Sequence, residues 1–168
     1  RLQAVLQGYE DRPSQEVYAQ AVGGLIAKKG QLVIEGPCGT GKALAYLVPA
    51  IDALRSGKAS RVIVSTNSKT LQDQLMHKDI PLACRIAGDV EFSVLKGRAN
   101  YVCPSRMENA KNSVKRRLSS AEWNRLASLD DVEDFGPLDS YVTQAIVGSN
   151  DHCDRKRCGA SICPYSKA

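Results

Sequence analysis

The stretch from Val33 to Pro49, VIEGPCGTGKALAYLVP, restricts the fold of this chain more than any other. Gly36 to Lys42 fits the pattern G-x-x-x-x-G-K, a phosphate-binding loop that lies between a strand and a helix. The residue types follow from the physics of holding phosphate. Gly36, Gly39 and Gly41 let backbone amides curl around phosphate oxygens, the next helix adds the positive end of its dipole, and Lys42 brings a mobile ammonium. The candidate nucleotide-binding residues are therefore Gly36, Pro37, Cys38, Gly39, Thr40, Gly41, Lys42 and Ala43, with Lys42 as the candidate catalytic group. Ala43 departs from the pattern, because a Ser or Thr hydroxyl ordinarily holds Mg²⁺ there. Two accounts are open: a natural chain with reduced or lost hydrolysis, or a substitution introduced to trap a bound state.

Around the loop the pattern reads as α/β. Residues 12 to 29 place Val17, Ala21, Val22, Leu25 and Ile26 on one helical face behind Pro13 and Ser14. Strands are expected at 31–35, 61–66 and 91–97. Helices are expected from Lys42 to Gly57, bent or interrupted at Pro49, and from Ser68 to near Pro81. Strands alternating with helices predict a P-loop NTPase (RecA-like) parallel sheet with helices on both faces. After Gly97 the chain reads as mainly helical, with one helix over 105–129 and another over 138–148. The expected domains are 1–97 and 98–168.

With 43% apolar residues the chain can build a core, and no run of apolar residues is long enough to span a membrane. It reads as soluble and cytoplasmic, and as a piece of a longer protein. The net charge of +5 is unevenly spread. Seven basic residues against Glu108 fall between Lys96 and Arg117, then six acids against Arg125 between Glu122 and Asp139. A basic run suits a phosphate backbone, or is simply a solvated helix face. Trp123 and Tyr101 are of the type that stacks on unpaired bases, with core packing the stronger reading for Trp123.

Six cysteines in such a chain point to metal or redox chemistry rather than disulfides. Cys153, Cys158 and Cys163 are each separated by four residues, and forty-nine residues separate Cys103 from the first of them. Four thiolates suit a [4Fe-4S] cluster, and Pro104 and Pro164 follow the outer two. An all-thiolate zinc site fits the spacing about as well. Cys38 and Cys84 read as packing residues.

Four segments in order carry a resemblance to the DinG-like and XPD-like iron-sulfur DNA helicases of superfamily two. RPSQ is similar to the adenine-reading motif, which implies that Gln15 contacts adenine with Arg12 assisting. IEGPCGTGKALAYLVPA resembles helicase motif I apart from Ala43. VIVSTNSKTLQDQL resembles motif Ia, implying that Ser65, Thr66 and Lys69 meet the DNA backbone. LKGRANYVC resembles the entry to the iron-sulfur domain, which implies Cys103, Cys153, Cys158 and Cys163 as cluster ligands. By this resemblance residues 1–97 are the N-terminal part of motor domain 1 and residues 98–168 an iron-sulfur cluster domain. Lys111, Lys115, Arg116 and Arg117 would then track DNA. The implied activity is that of an ATP-dependent 5′ to 3′ DNA helicase using ATP, Mg²⁺ and a [4Fe-4S] cluster, acting as a monomer on single-stranded DNA or a forked duplex. No DEAH-like motif or second motor domain is present in these residues, so the piece alone is expected not to unwind DNA. Two other readings stay open: a non-catalytic single-strand-binding module, and a zinc-stabilised P-loop ATPase.

Overall fold

The computed structural model describes residues 10–114, 116–136, 138–149, 153 and 163–167. Its contacts divide the chain into two compact units, Arg1–Ser93 and Val94–Ala168.

In the first unit, helix α1 spans Pro13–Lys28, with proline in its opening turn where no N–H is needed. Helix α2 spans Lys42–Arg55 and runs through Pro49, where a bend or an interruption was expected, without interruption. Its apolar face builds the core, where Leu47 and Ile51 pack with Ala83 and Cys84. Helix α3, Lys69–Gln74, is capped by Ser68, whose side chain accepts the Leu71 N–H. The expected end near Pro81 is not observed. The chain instead passes through a π turn, Leu75–Asp79, into helix α4, Ile80–Ala87. Pro81 explains the turn, since it has no N–H to offer the His77 carbonyl and its ring would crowd that carbonyl in a regular helix. The ladder slips by one, and the Ile80 N–H donates to the Leu75 carbonyl. Asp79 is buried there and accepts from Gln74 Nε2 at 2.9 Å.

The expected parallel sheet is not formed. Among the described residues there is no strand, only two isolated antiparallel bridges, Tyr101 with Asp131 and Val102 with Val147. Residues 31–35, 61–66 and 91–97 run as irregular chain. Their β-branched and apolar composition is real, but a strand exists only through ladder partners, and no backbone hydrogen bond joins these three segments to one another. Val33 is 97% exposed and Ile63 83%. Composition alone thus misled on both the class and the layers.

The second unit is helical. Helices α5 (Pro104–Val114), α6 (Ser120–Ala127) and α7 (Ser140–Ile146) enclose a core in which Val114, Leu126, Val142 and Ile146 are essentially inaccessible. The single helix expected over 105–129 is divided in two. Ser119 restarts it through a capping box with Glu122, each binding the other's backbone N–H. That bond, from the Ser119 side chain first and its N–H second, holds the Glu122 carboxyl below its ordinary 4.5. A short helix α8, Pro164–Lys167, follows Cys163. Tyr101 and Val102 are buried in this unit, and Cys103 donates its N–H to the Ile146 carbonyl at 2.8 Å. Trp123 is a core residue, 9% exposed. With both aromatics buried, neither Trp123 nor Tyr101 offers a free face for stacking on bases.

Candidate functional site

The glycine loop opens α2. Gly39 and Gly41 have φ of +81° and +73°, a region costly for residues with a Cβ, and Gly41 is the N-cap residue. Side-chain donors from both ends of the motif gather on the loop carbonyls. Lys42 Nζ donates to Gly36 O at 2.7 Å and to Pro37 O at 3.1 Å, and Thr40 Oγ1 donates to Pro37 O at 2.9 Å. From α1 and the residue before it, Gln15 Nε2 donates to Gly41 O at 2.9 Å and an Arg12 amino group to Gly39 O at 2.9 Å. Gln15 is buried, 7% exposed, with its Nε2 on this carbonyl. A Cβ at residue 41 would run into that amide. The structure thus brings Arg12, Gln15, Thr40 and Lys42 onto the loop, while the Cys38 side chain is exposed. Ala43 packs its methyl against the core of Leu47, Ile51, Ala83 and Cys84. Near this core, burial first, then Asp79 and then Tyr18, pushes the Tyr46 phenol above its ordinary 10.0.

Ser65 and Lys69 are exposed and Thr66 is half-buried, with Lys69 opening α3. In the second unit the basic residues are partly engaged with acids. Lys111 pairs loosely with Glu108 at 3.9 Å, and both side chains are largely exposed. Arg117 reaches Asp139 at 3.4 Å and lies 4.6 Å from the centre of the Tyr141 ring. Arg116 is exposed, and Lys115 lies outside the described residues.

Cys103, Cys153 and Cys163 are half-buried and in no disulfide, and Cys84 is buried in the first unit's core. Cys158 lies outside the described residues. Among the described residues no group of three His, Cys, Asp or Glu side chains is gathered as a metal site.

Three features went unread in the sequence. Arg106 holds the end of α7 by its side chain, donating to the carbonyls of Ala145 and Gln144 and to Ser149 Oγ. Lys96 and Asp131 form an ion pair at 3.0 Å with little exposure on either side. Arg98 lies 5.1 Å from the centre of the Tyr165 ring, which also meets Tyr101 edge-on. The position of Tyr165, two residues after Cys163, was the only signal available for the last of these.

No protein-family model matches the chain. Among curated proteins it is 37% identical over 161 residues to the ATP-dependent DNA helicase YoaA of Haemophilus influenzae, covering 88% of this chain and 24% of that protein. It is 42% identical over 111 residues to YoaA of Escherichia coli, covering 64% of this chain and 16% of that protein. To the ATP-dependent DNA helicase DinG of Salmonella typhimurium it is 36% identical over 120 residues, 71% of this chain and 16% of that one. The chain therefore spans a quarter or less of the relatives it matches. No helix among the described residues is long and apolar enough to cross a membrane. Identity at this level over most of the chain makes this stretch DinG-like, a homologue of one segment of the DinG and YoaA helicases.

Proposed function

We infer that the chain is the nucleotide-binding and cysteine-bearing part of an ATP-dependent DNA helicase that moves 5′ to 3′ along single-stranded DNA. The observation that carries this reading is the convergence of Arg12, Gln15, Thr40 and Lys42 on the carbonyls of one glycine loop, in a chain whose relatives are named ATP-dependent DNA helicases. In this reading Lys42 exchanges its carbonyl partners for phosphate oxygens, and the left-handed glycines turn amides toward the same charge. Gln15 and Arg12, already braced on the loop, read the adenine. Ala43 offers no oxygen to Mg²⁺, so the ion would be held by water and phosphate oxygens, a weaker site than a hydroxyl completes.

Ser65, Thr66 and Lys69 would meet the backbone of single-stranded or forked DNA, with Lys111, Lys115, Arg116 and Arg117 giving a second phosphate-tracking surface. Cys103, Cys153, Cys158 and Cys163 would hold a [4Fe-4S] cluster. The donor chemistry fits, because the three described thiols are partly shielded and in no disulfide. A bound cluster would cross-link the chain between its ligands and so stabilise the second unit. The protein would act as a cytoplasmic monomer.

Turnover of ATP by the parent protein, with and without single-stranded DNA, tests the reading. Ala43→Ser is expected to raise hydrolysis, and Lys42→Ala to lower it by about 100-fold, the scale for removing one preorganised charge from a transition state. Turnover indifferent to both substitutions would refute it.

A further inference from the structure

Tyr101 and Tyr165 are far apart in sequence, yet their rings meet edge to face, with centroids 5.7 Å apart and planes at 71°. That is the geometry in which the positive rim of one ring meets the negative face of the other. Arg98, 5.1 Å from the Tyr165 centroid, adds a cation to the same ring. Tyr101 is itself fixed. It is 7% exposed, its hydroxyl accepts the Lys96 N–H at 3.0 Å, and its carbonyl accepts the Gly148 N–H at 3.1 Å. Tyr165 is half-buried, and Pro164 beside it is buried.

The positions of the two rings give this contact its meaning. Tyr101 precedes Cys103 by two residues and Tyr165 follows Cys163 by two, so each cysteine Cα lies within about 7 Å of its tyrosine Cα. We propose that Tyr165 is a positioning residue: its ring, clasped by Tyr101 and Arg98, holds the Cys163 segment beside the Cys103 segment without any metal. Two thiols at opposite ends of the cysteine set are thereby presented together, and a metal or cluster of either class meets a loop already closed. The clasp needs no cluster, so it stands or falls separately from the function inferred above.

The test uses this chain with Cys38, Cys153 and Cys158 changed to Ser and with Cys84→Ala, which leaves Cys103 and Cys163 as its thiols. The probe is a short bifunctional maleimide, and the readout is the rate of the 103–163 cross-link by mass spectrometry. Tyr165→Phe keeps the ring and is expected to keep the rate. Tyr165→Leu keeps bulk but loses both ring contacts, and is expected to slow cross-linking about tenfold. Hydrogen exchange at Val114 and Leu126 is expected to be unchanged in both variants. Equal rates in all three proteins would overturn the proposal, as would a tyrosine form that cross-links no faster than in denaturant. Loss of exchange protection together with the cross-link would also overturn it, by making Tyr165 a residue of the fold rather than of the cysteine ends.

Discussion

The two units divide the labour of the sequence differently. The first, up to Ser93, carries the glycine loop and the residues braced on it, yet its cluster of buried side chains is small, built on Leu47, Ile51, Ala83 and Cys84. The exposed large apolar residues include Val33, Ile63 and Leu71 of this unit. The second unit carries fewer recognisable motifs but surrounds Val114, Leu126, Val142 and Ile146 so completely that none exceeds 1% exposure. The difference teaches that an informative motif and a well-filled core are separate properties of a sequence. A glycine loop needs a few glycines and donors in place, whereas a core needs many side chains to agree.

Unfolding measurements can break that comparison. The largest effect is expected from Leu126→Ala, about 3 kcal/mol off the stability of the second unit in urea unfolding, because a side chain with no exposure leaves a cavity. A loss below about 1 kcal/mol would show a core that collapses easily, and the contrast between the units would weaken. Next, Gly41→Ala combines a left-handed φ with a clash against Gln15, and about 2 kcal/mol is expected by thermal unfolding of the first unit. Ser119→Ala removes the cap of α6 and should cost about 1 kcal/mol at neutral pH.

That last substitution also has a pH signature. The Glu122 pKa is lowered on folding, so its contribution to stability is present above the ordinary 4.5 and is lost as pH falls through the depressed value. The gap between the parent and Ser119→Ala should therefore narrow in acid, which chemical unfolding on either side of that pH would reveal. The smallest effect is expected for Ile63→Thr, within about 0.5 kcal/mol, since the side chain is 83% exposed. A larger loss would mean that this residue is covered in solution and that the first unit is better packed than its exposure indicates.

Legibility followed the range of the interactions concerned. Gly36 to Lys42 was readable because spacing within eight residues decides the loop, and helices Pro13–Lys28 and Lys42–Arg55 were readable because their periodicity and start signals are local. The likeness to DinG-like helicases was readable because four segments carry its motifs in order. The sheet was misread because Val33 and Ile63 have strand chemistry wherever they stand, and only a partner strand turns that chemistry into structure. Gln15 was singled out for adenine, and the hydrogen bond its side-chain N–H donates to the Gly41 carbonyl was not foreseeable from a helix pattern. Tyr165 carried almost no signal, because a ring contact between distant positions leaves no period to detect.

The π turn at Leu75–Asp79 has a consequence for chain length. In helical terms it is one residue too many, and each residue of an α-helix turns the next by about 100°. Side chains after the turn are thus out of phase with those before it, and this offset is what aims Ala83 and Cys84 at Leu47 and Ile51. Forcing these residues into a regular α-helix at the same length would swing those two side chains off the core, whereas deleting one residue between Gln74 and Ile80, with Pro81 replaced, would let the hydrogen-bond ladder run unbroken and leave them in place. Over these few residues the extra residue and the wide turn offset each other, so the fold can lose both together but neither alone.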